Sequence, residues 1–287
     1  AAQIVADGLG MRPEEVQVVT AMDTQNGDWS LASGNYANRF SAIVVDAIVE
    51  STDRIAMKLK AVAADMLEVA PDDVELSGGR ARIAGVPDDG IALARVAAAT
   101  HWHPAGLPEG LSPGLREAAT LSPDVLDAPD EQDRVASAVT FGYICDLAAV
   151  EVDPKTGRIT VETYVSVHDV GRVLNPILVE GQVRGGFAHG FGAAVMEDLV
   201  YDSEGNFLSG SFADYACPTA ADLPPVTVGH VETASPANAL GSKGMGDGSS
   251  MLTPAVMANA VADALGRDDV ELPLTLDRVW RLAREAS

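Results

Sequence analysis

Cysteine is scarce in this sequence of 287 residues. The two cysteines, Cys145 and Cys217, lie far apart, and neither belongs to a CxxC or a Cys/His pair. This spacing indicates neither a disulfide framework nor a zinc or iron–sulfur site held by this chain. We expect both cysteines to be buried, small apolar residues in a reducing compartment.

Positive charge and long apolar runs are also scarce. The chain has 19 Lys and Arg against 42 Asp and Glu, a formal net charge of -23. This balance argues against nucleic acid or an anionic membrane surface as a partner. No apolar run of about 18 residues and no signal-peptide pattern occurs. We therefore expect a cytoplasmic protein.

Glycine, by contrast, is concentrated in residues 241–250, GSKGMGDGSS. This stretch is too rich in glycine for a helix or an ordinary strand, so the backbone turns sharply and approaches something closely. A helix is predicted to follow, with Thr253 as N-cap, Pro254 at its first position and Gly266 as C-cap. A loop before a helix N-terminus offers backbone N–H groups to an anionic ligand. Asp247 is the only carboxylate in the loop, so it is either a reactive group or a solvated surface aspartate.

The first third of the chain predicts helices around one hairpin. A helix ends at Gly10, a strand is expected at residues 14–23, and a loop at 24–39. Residues 40–69 predict a long helix. Its expected apolar stripe consists of Ile43, Val44, Ala47, Ile48, Ile55, Leu59 and Val62. A hairpin turning at Gly78 and Gly79 and a short helix over residues 91–100 follow.

Residues 104–133 are rich in Pro, Gly, Leu and acidic residues without steady periodicity. They predict the main internal boundary, with one subdomain at 1–103 and another at 134–287. His101 and His103 precede this segment. They could ligate a metal, but two histidines without a third partner are more often ordinary loop residues.

The second half predicts a long hairpin and then a glycine-rich helix. The alternation over residues 137–171, interrupted by DPKTG, is typical of two paired strands. Residues 177–196 predict a helix that carries five glycines, each costing about 1 kcal/mol relative to alanine. Such a helix implies close approach by another backbone or by a ligand, with Gln182 and Arg184 beside it or simply exposed. A strand at VTVGHVE and a last amphipathic helix capped by Thr275 complete the pattern.

Several motifs in order resemble one enzyme family. These are SGNYANR at residues 33–39, DVGRVLNP at 169–176, GQVRGG at 181–186, SFADYACPTA at 211–220 and the run from Asn238 to Asp247. Together they resemble the C-terminal molybdopterin-binding region of the xanthine dehydrogenase and aldehyde oxidase family of molybdenum hydroxylases. The resemblance implies an α+β fold of two mixed α/β subdomains. It covers essentially the whole chain.

The resemblance implies an oxidative hydroxylation of a heteroaromatic or aldehyde carbon, with water as the oxygen source. It implies a molybdenum-pterin cofactor, expected in the cytosine dinucleotide form, whose dithiolene holds the metal in place of protein ligands. Partners are expected to be a chain with the N-terminal half of the large subunit, an iron–sulfur subunit carrying [2Fe-2S] and a FAD subunit. The large subunit is thus expected to be split between two chains.

The resemblance also assigns candidate site residues. Asp247 matches the general base, which must lie within hydrogen-bond reach of the proton that it removes. The expected cofactor contacts are Tyr36, Ala37, Asn38, Arg39, Gln182, Arg184, Lys243, Gly244, Gly246, Ser249 and Ser250. Alternatives stay open for some of them. Arg39 and Arg184 could only pair with surface acids, and the two serines could only cap the next helix.

One departure from the family pattern concerns the base itself. Aspartate stands where the family has glutamate, which withdraws the carboxylate by about one carbon–carbon bond, roughly 1.5 Å. The loop must then lie closer to the reacting group, or a water must relay the proton. The alternative function is a non-catalytic subunit that retains a cofactor-binding or assembly role.

Overall fold

The computed structural model describes residues 1–21, 25, 36–86, 90–121, 126–135 and 138–285. Its α-helices are α1 (Ala2–Leu9), α2 (Ala37–Arg39), α3 (Val45–Leu67), α4 (Leu93–Trp102), α5 (Pro176–Val195), α6 (Gly248–Leu265) and α7 (Leu276–Glu285). Its strands are β1 (Val74–Ser77), β2 (Arg80–Ile83), β3 (Ile91–Ala92), β4 (Tyr143–Val152), β5 (Ile159–Asp169) and β6 (Thr227–Val231). The predicted α+β class is confirmed. Among the helices described, none has the length and apolar character needed to cross a bilayer.

The chain divides into two compact units, and the first comprises residues 1–35, 39–139 and 236–240. Helix α3 contacts α1, α4 and strand β1 of the antiparallel sheet β1-β2-β3. The predicted hairpin is confirmed, and its turn residues Gly78 and Gly79 have φ of 58° and 71°. This left-handed pair is the geometry that favours glycine in a two-residue turn. The core of this unit consists of Leu59, Val62, Ala63, Ala64, Val74, Ala81, Leu93 and Val96.

Two predictions for the first unit are wrong. No strand forms over the described part of residues 14–23, because alternation makes a strand only where a neighbouring strand pairs with it, and Val18 and Val19 are exposed. The long helix forms, but its apolar stripe begins differently. A π-helical turn at Phe40–Val44 shifts the helical register, so Val45 and Ala56 are buried while Ile43 and Ile48 are half-exposed.

The three-part division of the chain stays a prediction. Described residues of the expected connecting segment form hydrogen bonds with α3. The Arg54 guanidinium donates to the Ala118 carbonyl at 2.9 Å, and Lys58 donates to the Ser112 hydroxyl at 3.4 Å. The predicted loop at residues 24–39 lies largely outside the described residues.

The second unit comprises residues 36–38, 140–235 and 241–287. Strands β4 and β5 form the predicted antiparallel hairpin, and β6 pairs with β5 in parallel. Helices α5 and α6 pack on each other, and α6 also contacts β4. The core includes a ring contact between Tyr164 and Phe187, with centroids 4.4 Å apart. The other buried residues of this core cluster are Phe191, Ala194, Val226, Met257, Val261, Leu274 and Val279.

The prediction that both cysteines are buried is wrong. Cys145 and Cys217 are both exposed in this chain. Cys145 lies among the exposed alternate positions of β4 that include Tyr143 and Leu147. Alternation in a sequence shows that a strand has two faces, but only packing decides which face is covered.

Helix α6 begins six residues earlier than predicted. Its N-cap is Asp247, so Thr253 is not the cap and Pro254 lies inside the helix. Proline lacks the N–H that would bond the Ser250 carbonyl four residues before it. The Thr253 hydroxyl donates instead to the Ser249 carbonyl at 2.7 Å. The predicted C-cap at Gly266 is confirmed, with φ of 64°.

Helix α5 begins at Pro176, one residue before the predicted start, and the side chain of its N-cap Asn175 accepts from the Leu178 N–H at 3.1 Å. A Cβ added to Gly190 would lie 2.8 Å from the Thr253 Cβ and 3.0 Å from the Ser250 carbonyl oxygen. A Cβ on Gly186 would lie 3.0 Å from the Ser249 Cβ. The expected close approach by another backbone is therefore confirmed at these two glycines. At Gly181 and Gly185 no described atom lies within 4 Å.

This contrast within one helix predicts opposite effects of one substitution. We expect Gly190→Ala to lower the melting temperature, because the new methyl group meets a backbone oxygen and the threonine Cβ. Gly185→Ala is expected to stabilise the protein by about 0.5–1 kcal/mol, since alanine is the better helix former and space is open. Thermal unfolding of the two variants tests this. A larger loss for Gly185→Ala than for Gly190→Ala would contradict it.

Candidate active site

The glycine loop of residues 241–248 is held by backbone hydrogen bonds at the end of β5. The Lys243 N–H donates to the Val170 carbonyl at 2.8 Å, and the Gly241 carbonyl accepts from Arg172 at 2.8 Å and Ser235 at 3.0 Å. A Cβ on Gly171, whose φ is 62°, would lie 2.2 Å from the Gly241 oxygen. The two backbones approach so closely that only glycine fits at Gly171.

Three further glycines bring the loop against its neighbours. A Cβ on Gly244 would lie 2.4 Å from the Asn38 Oδ1, and one on Gly246 would lie 3.1 Å from the Ala37 Cβ. A Cβ on Gly248 would lie 2.0 Å from the Ile144 Cδ1. Residues 37 and 38 of the SGNYANR motif thus lie directly beside the glycine loop. Ser33, Gly34 and Asn35 of that motif lie outside the described residues.

Lys243 forms an ion pair at the base of the loop. Its Nζ lies 2.8 Å from Asp169 Oδ2, and the two side chains are only 11% and 12% exposed. It also donates to the Thr233 hydroxyl at 2.8 Å and lies over the Tyr143 ring, 5.9 Å from its centroid. Asp169 also accepts from the Thr233 hydroxyl and from the Gly171 N–H. The ammonium group therefore fixes the loop to β5.

The ionisation of Asp169 follows from these contacts. Burial of its carboxyl group opposes the charged form, but the hydrogen bonds from Lys243 and Thr233 outweigh that effect. Together they hold the pKa of Asp169 well below its ordinary value. The carboxylate is thus charged at neutral pH and pairs with the lysine.

Asp247 is exposed and stands at the N-cap of α6. Its carboxylate forms no capping bond, and no hydrogen bond or ion pair joins it to the described part of the chain. Within the same part, the N–H groups of Gly244, Met245, Gly246 and Asp247 have no acceptor. The first turn of a helix leaves further N–H groups free. The loop therefore combines a carboxylate able to accept a proton with unused backbone donors.

The other predicted contacts differ in how they meet the loop. The Gln182 amide donates to the Gly246 carbonyl at 2.8 Å, so this side chain lies at the loop. Arg184 pairs with Glu180 at 2.7 Å, which is the acid pairing considered as its alternative. Its guanidinium also donates to the Val226 carbonyl at 3.2 Å.

The remaining predicted contacts lie at the start of α6 and around α2. Ser249 is buried, and the Ser250 hydroxyl donates to the Asp247 carbonyl at 2.8 Å. Tyr36 is 58% exposed, and Arg39 ends the short helix α2.

Residues 1–224 match the family model of the molybdopterin cofactor-binding domain. The chain belongs to this family. The match ends before the glycine loop, but relatives align with nearly the entire chain. The large subunit of nicotine 6-hydroxylase from Paenarthrobacter nicotinovorans is 36% identical over 286 residues, covering 99% of this chain and 33% of that subunit.

Solved structures give the same relationship. Cu,Mo-CO dehydrogenase superposes with a TM-score of 0.81 at 27% identity, and the match covers 99% of this chain and 34% of the dehydrogenase chain. Quinoline 2-oxidoreductase from Pseudomonas putida 86 superposes with a TM-score of 0.79 at 32% identity, again with 99% and 34% coverage. The resemblance to molybdenum hydroxylase large subunits is therefore confirmed. The chain spans about a third of the length of these relatives.

The loop fits an anionic, acceptor-rich group. Its unused N–H groups precede the N-terminus of an 18-residue helix, which favours negative charge. Gly244, Gly246 and Gln182 hold the loop in place, while Ala37 and Asn38 form its neighbouring wall. No group of three or more His, Cys, Asp and Glu able to hold a metal occurs among the described residues. His101 and His103 lie at the end of α4 and belong to no such group.

A buried polar network behind the loop was missed from the sequence. It consists of Asp146, Tyr164, Ser166, His168, Ser249 and Thr253. All are 9% exposed or less. One signal could have revealed it, because Tyr164, Ser166 and His168 recur at every second position of β5 between apolar residues, as do side chains on one face of a strand.

The lowered pKa of His168 predicts that the protein loses stability in mild acid. Burial lowers its pKa, and the nearby His230 adds to that effect, while Asp146 opposes it. Because folding lowers its pKa, the histidine is protonated in the unfolded state at a higher pH than in the folded state. We therefore expect the free energy of unfolding to fall as pH decreases below about 6.5, by up to roughly 1.4 kcal/mol per pH unit.

Chemical denaturation at pH 7.5, 6.5 and 5.5 measures this effect. His168→Gln removes the titrating group, so its stability should change less over the same range. Equal acid dependence of the two proteins would contradict the assignment to His168.

Proposed function

We propose that this chain supplies part of the molybdenum-pterin pocket and the general base of a molybdenum hydroxylase. The observation that carries the proposal is the free Asp247 carboxylate at the N-cap of α6, beside loop N–H groups without acceptors. Residues corresponding to the other two-thirds of the relatives, on the same or a separate chain, would complete the pocket. The cofactor is proposed in its cytosine dinucleotide form.

The reaction is oxidative hydroxylation: a carbon-bound hydrogen is replaced by a hydroxyl group from water, and two electrons and two protons are released. When bound, the molybdenum cofactor supplies the oxidation. The Asp247 carboxylate accepts the proton that water loses while its oxygen bonds to the substrate carbon. The loop glycines Gly244 and Gly246, which precede Asp247, lie against Asn38 and Ala37.

The substrate class proposed is an N-heteroaromatic ring, with an aldehyde as the second class. Nicotine 6-hydroxylase and quinoline 2-oxidoreductase, at 36% and 32% identity, are both named for a ring of this kind. The two electrons must then leave through other groups, because Cys145 and Cys217 cannot hold an iron–sulfur cluster alone. We propose [2Fe-2S] and FAD on partner subunits, and a cytoplasmic location for the complex.

Three measurements on the purified complex test this function. Elemental analysis should find molybdenum, and an artificial dye should be reduced when quinoline or nicotine is added. With ¹⁸O-labelled water, the label should appear in the product hydroxyl. Bound molybdenum without turnover of rings or aldehydes would favour the non-catalytic role, and label arriving from O₂ would refute the proposed chemistry.

A further inference from the structure

In the buried polar network behind the glycine loop, the donor and the acceptor of each hydrogen bond to Asp146 are defined. Tyr164 stays protonated because burial raises its pKa, and its hydroxyl donates to Asp146 Oδ2 at 2.7 Å. The Ser166 hydroxyl lies 2.5 Å from Asp146 Oδ1 and donates to it. A carboxylate accepts hydrogen bonds and cannot donate them. Both hydroxyl hydrogens therefore point to Asp146.

These donor and acceptor roles determine which ring nitrogen of His168 carries the hydrogen. Its Nε2 lies 2.8 Å from the Ser166 oxygen and 3.2 Å from the Ser249 oxygen. Ser166 has already given its only hydrogen to Asp146, so Nε2 must carry the hydrogen and Ser166 must accept. The other ring nitrogen, Nδ1, is buried and has no partner among the described residues. Burying a bare lone pair at Nδ1 costs less free energy than burying an N–H group without an acceptor. Nδ1 therefore carries no hydrogen, and the ring is neutral.

The network ends at the first turn of α6. Ser249, 3% exposed, is two residues after Asp247, and its oxygen is the second neighbour of His168 Nε2. The Thr253 hydroxyl oxygen lies 3.1 Å from the Tyr164 hydroxyl oxygen. The Thr253 hydroxyl donates to the Ser249 carbonyl and so contacts the same turn. Pro254 removes one backbone hydrogen bond from this turn. The start of α6 therefore depends on side-chain contacts with β5 more than an ordinary helix start does.

We propose that His168 is a positioning residue that fixes the first turn of α6, and with it the Asp247 carboxylate, through Ser249. The chain of contacts runs from Asp146 through Ser166 and His168 to Ser249, and each member is buried. A buried network of this kind selects one arrangement because any displaced member leaves a polar atom unpaired. Its consequence for turnover rests on the proposed function of Asp247. Its consequence for the helix start does not.

Hydrogen exchange separates this role from simple space filling. His168→Leu keeps most of the volume, and Ser249→Ala removes only the accepting hydroxyl. Both are expected to raise amide exchange of Met251, Leu252 and Thr253 by about five- to tenfold, the effect of losing one hydrogen bond. His168→Gln places an amide N–H near the position of Nε2 and should restore slow exchange. Ser209→Ala is the matched control, because Ser209 is also buried but accepts from Val200 in a different segment.

Steady-state kinetics on the assembled enzyme provide the second readout. His168→Leu and Ser249→Ala are expected to lower kcat by roughly ten- to a hundredfold with little change in KM, since a misplaced base impairs the reaction more than binding. The double variant should lose little more than either single variant, because both break one chain of contacts.

Unchanged exchange in His168→Leu and Ser249→Ala would overturn the proposal, as would a Gln variant that exchanges as fast as the Leu variant. A fall in kcat with unchanged exchange would also overturn it. If Asp247 proves dispensable while the exchange pattern holds, the proposed general base fails and the positioning of α6 by His168 stands.

Discussion

Asp247→Asn is expected to lower turnover at least about a hundredfold while molybdenum content stays at the wild-type level. A positioned general base contributes about 10²–10⁴-fold, and asparagine has nearly the same shape but cannot take up the proton. The carboxylate forms no hydrogen bond or ion pair with the described residues, so the substitution breaks no contact there. Stability should therefore change little. Dye reduction, elemental analysis and thermal unfolding of the same preparation measure all three.

Two further variants sharpen this result. Asp247→Glu lengthens the side chain by one methylene, to the residue that the resemblance implies at this position, so it should retain activity. Asp263→Asn is the control, since Asp263 is an exposed aspartate near the other end of α6. Wild-type turnover in Asp247→Asn would disprove the role of the carboxylate as base. Loss of molybdenum in that variant would assign Asp247 to cofactor binding instead.

Asp169→Asn is expected to destabilise the protein by about 3 kcal/mol, near the lower end of the range for breaking a buried ion pair. The substitution leaves the Lys243 ammonium, 11% exposed, without its carboxylate partner. The matched control is Glu180→Gln, which breaks the pair with Arg184 on side chains that are about half exposed. That pair should contribute less than about 1 kcal/mol. Denaturant unfolding at pH 7 measures both.

The pH dependence and a double variant check the same pair. Because the folded-state pKa of Asp169 is lowered, its contribution is complete above the unfolded value and is lost as pH falls below about 4. This window lies below the one predicted for His168, so the two effects can be separated. Lys243→Met combined with Asp169→Asn should recover part of the lost stability. Equal losses in Asp169→Asn and Glu180→Gln would contradict the pair's importance.

Local patterns predicted many of the elements well. The end of α1 at Gly10, the β1-β2 turn, the β4-β5 hairpin and the Gly266 cap of α6 each depend on residues adjacent in sequence. Glycine in a left-handed turn or at a helix C-cap and strict alternation act over a few residues. The glycine-rich loop before a helix was likewise visible, and it led to Asp247 as the candidate base.

The site showed where such reasoning fails. Proline after threonine predicted a helix start at Thr253, whereas packing of α5 glycines against α6 allows the helix to begin at Gly248. Lys243 was expected at the cofactor, and the structure joins it to Asp169, 74 residues away in sequence. Its cofactor contact stays a prediction, as do those of Ser249 and Arg184. Contacts between distant residues leave no periodic signal.

The sequence alone thus determined the family, the α+β class, the order of most elements and the one carboxylate in the glycine loop, because these depend on local patterns and on matched motifs. Only the tertiary structure decided which face of β4 is exposed, which cation holds the loop, and that a buried histidine lies behind the first turn of α6. Those features arise when strands and helices distant in the chain pack together. Burial and hydrogen-bond partners are properties of that packing.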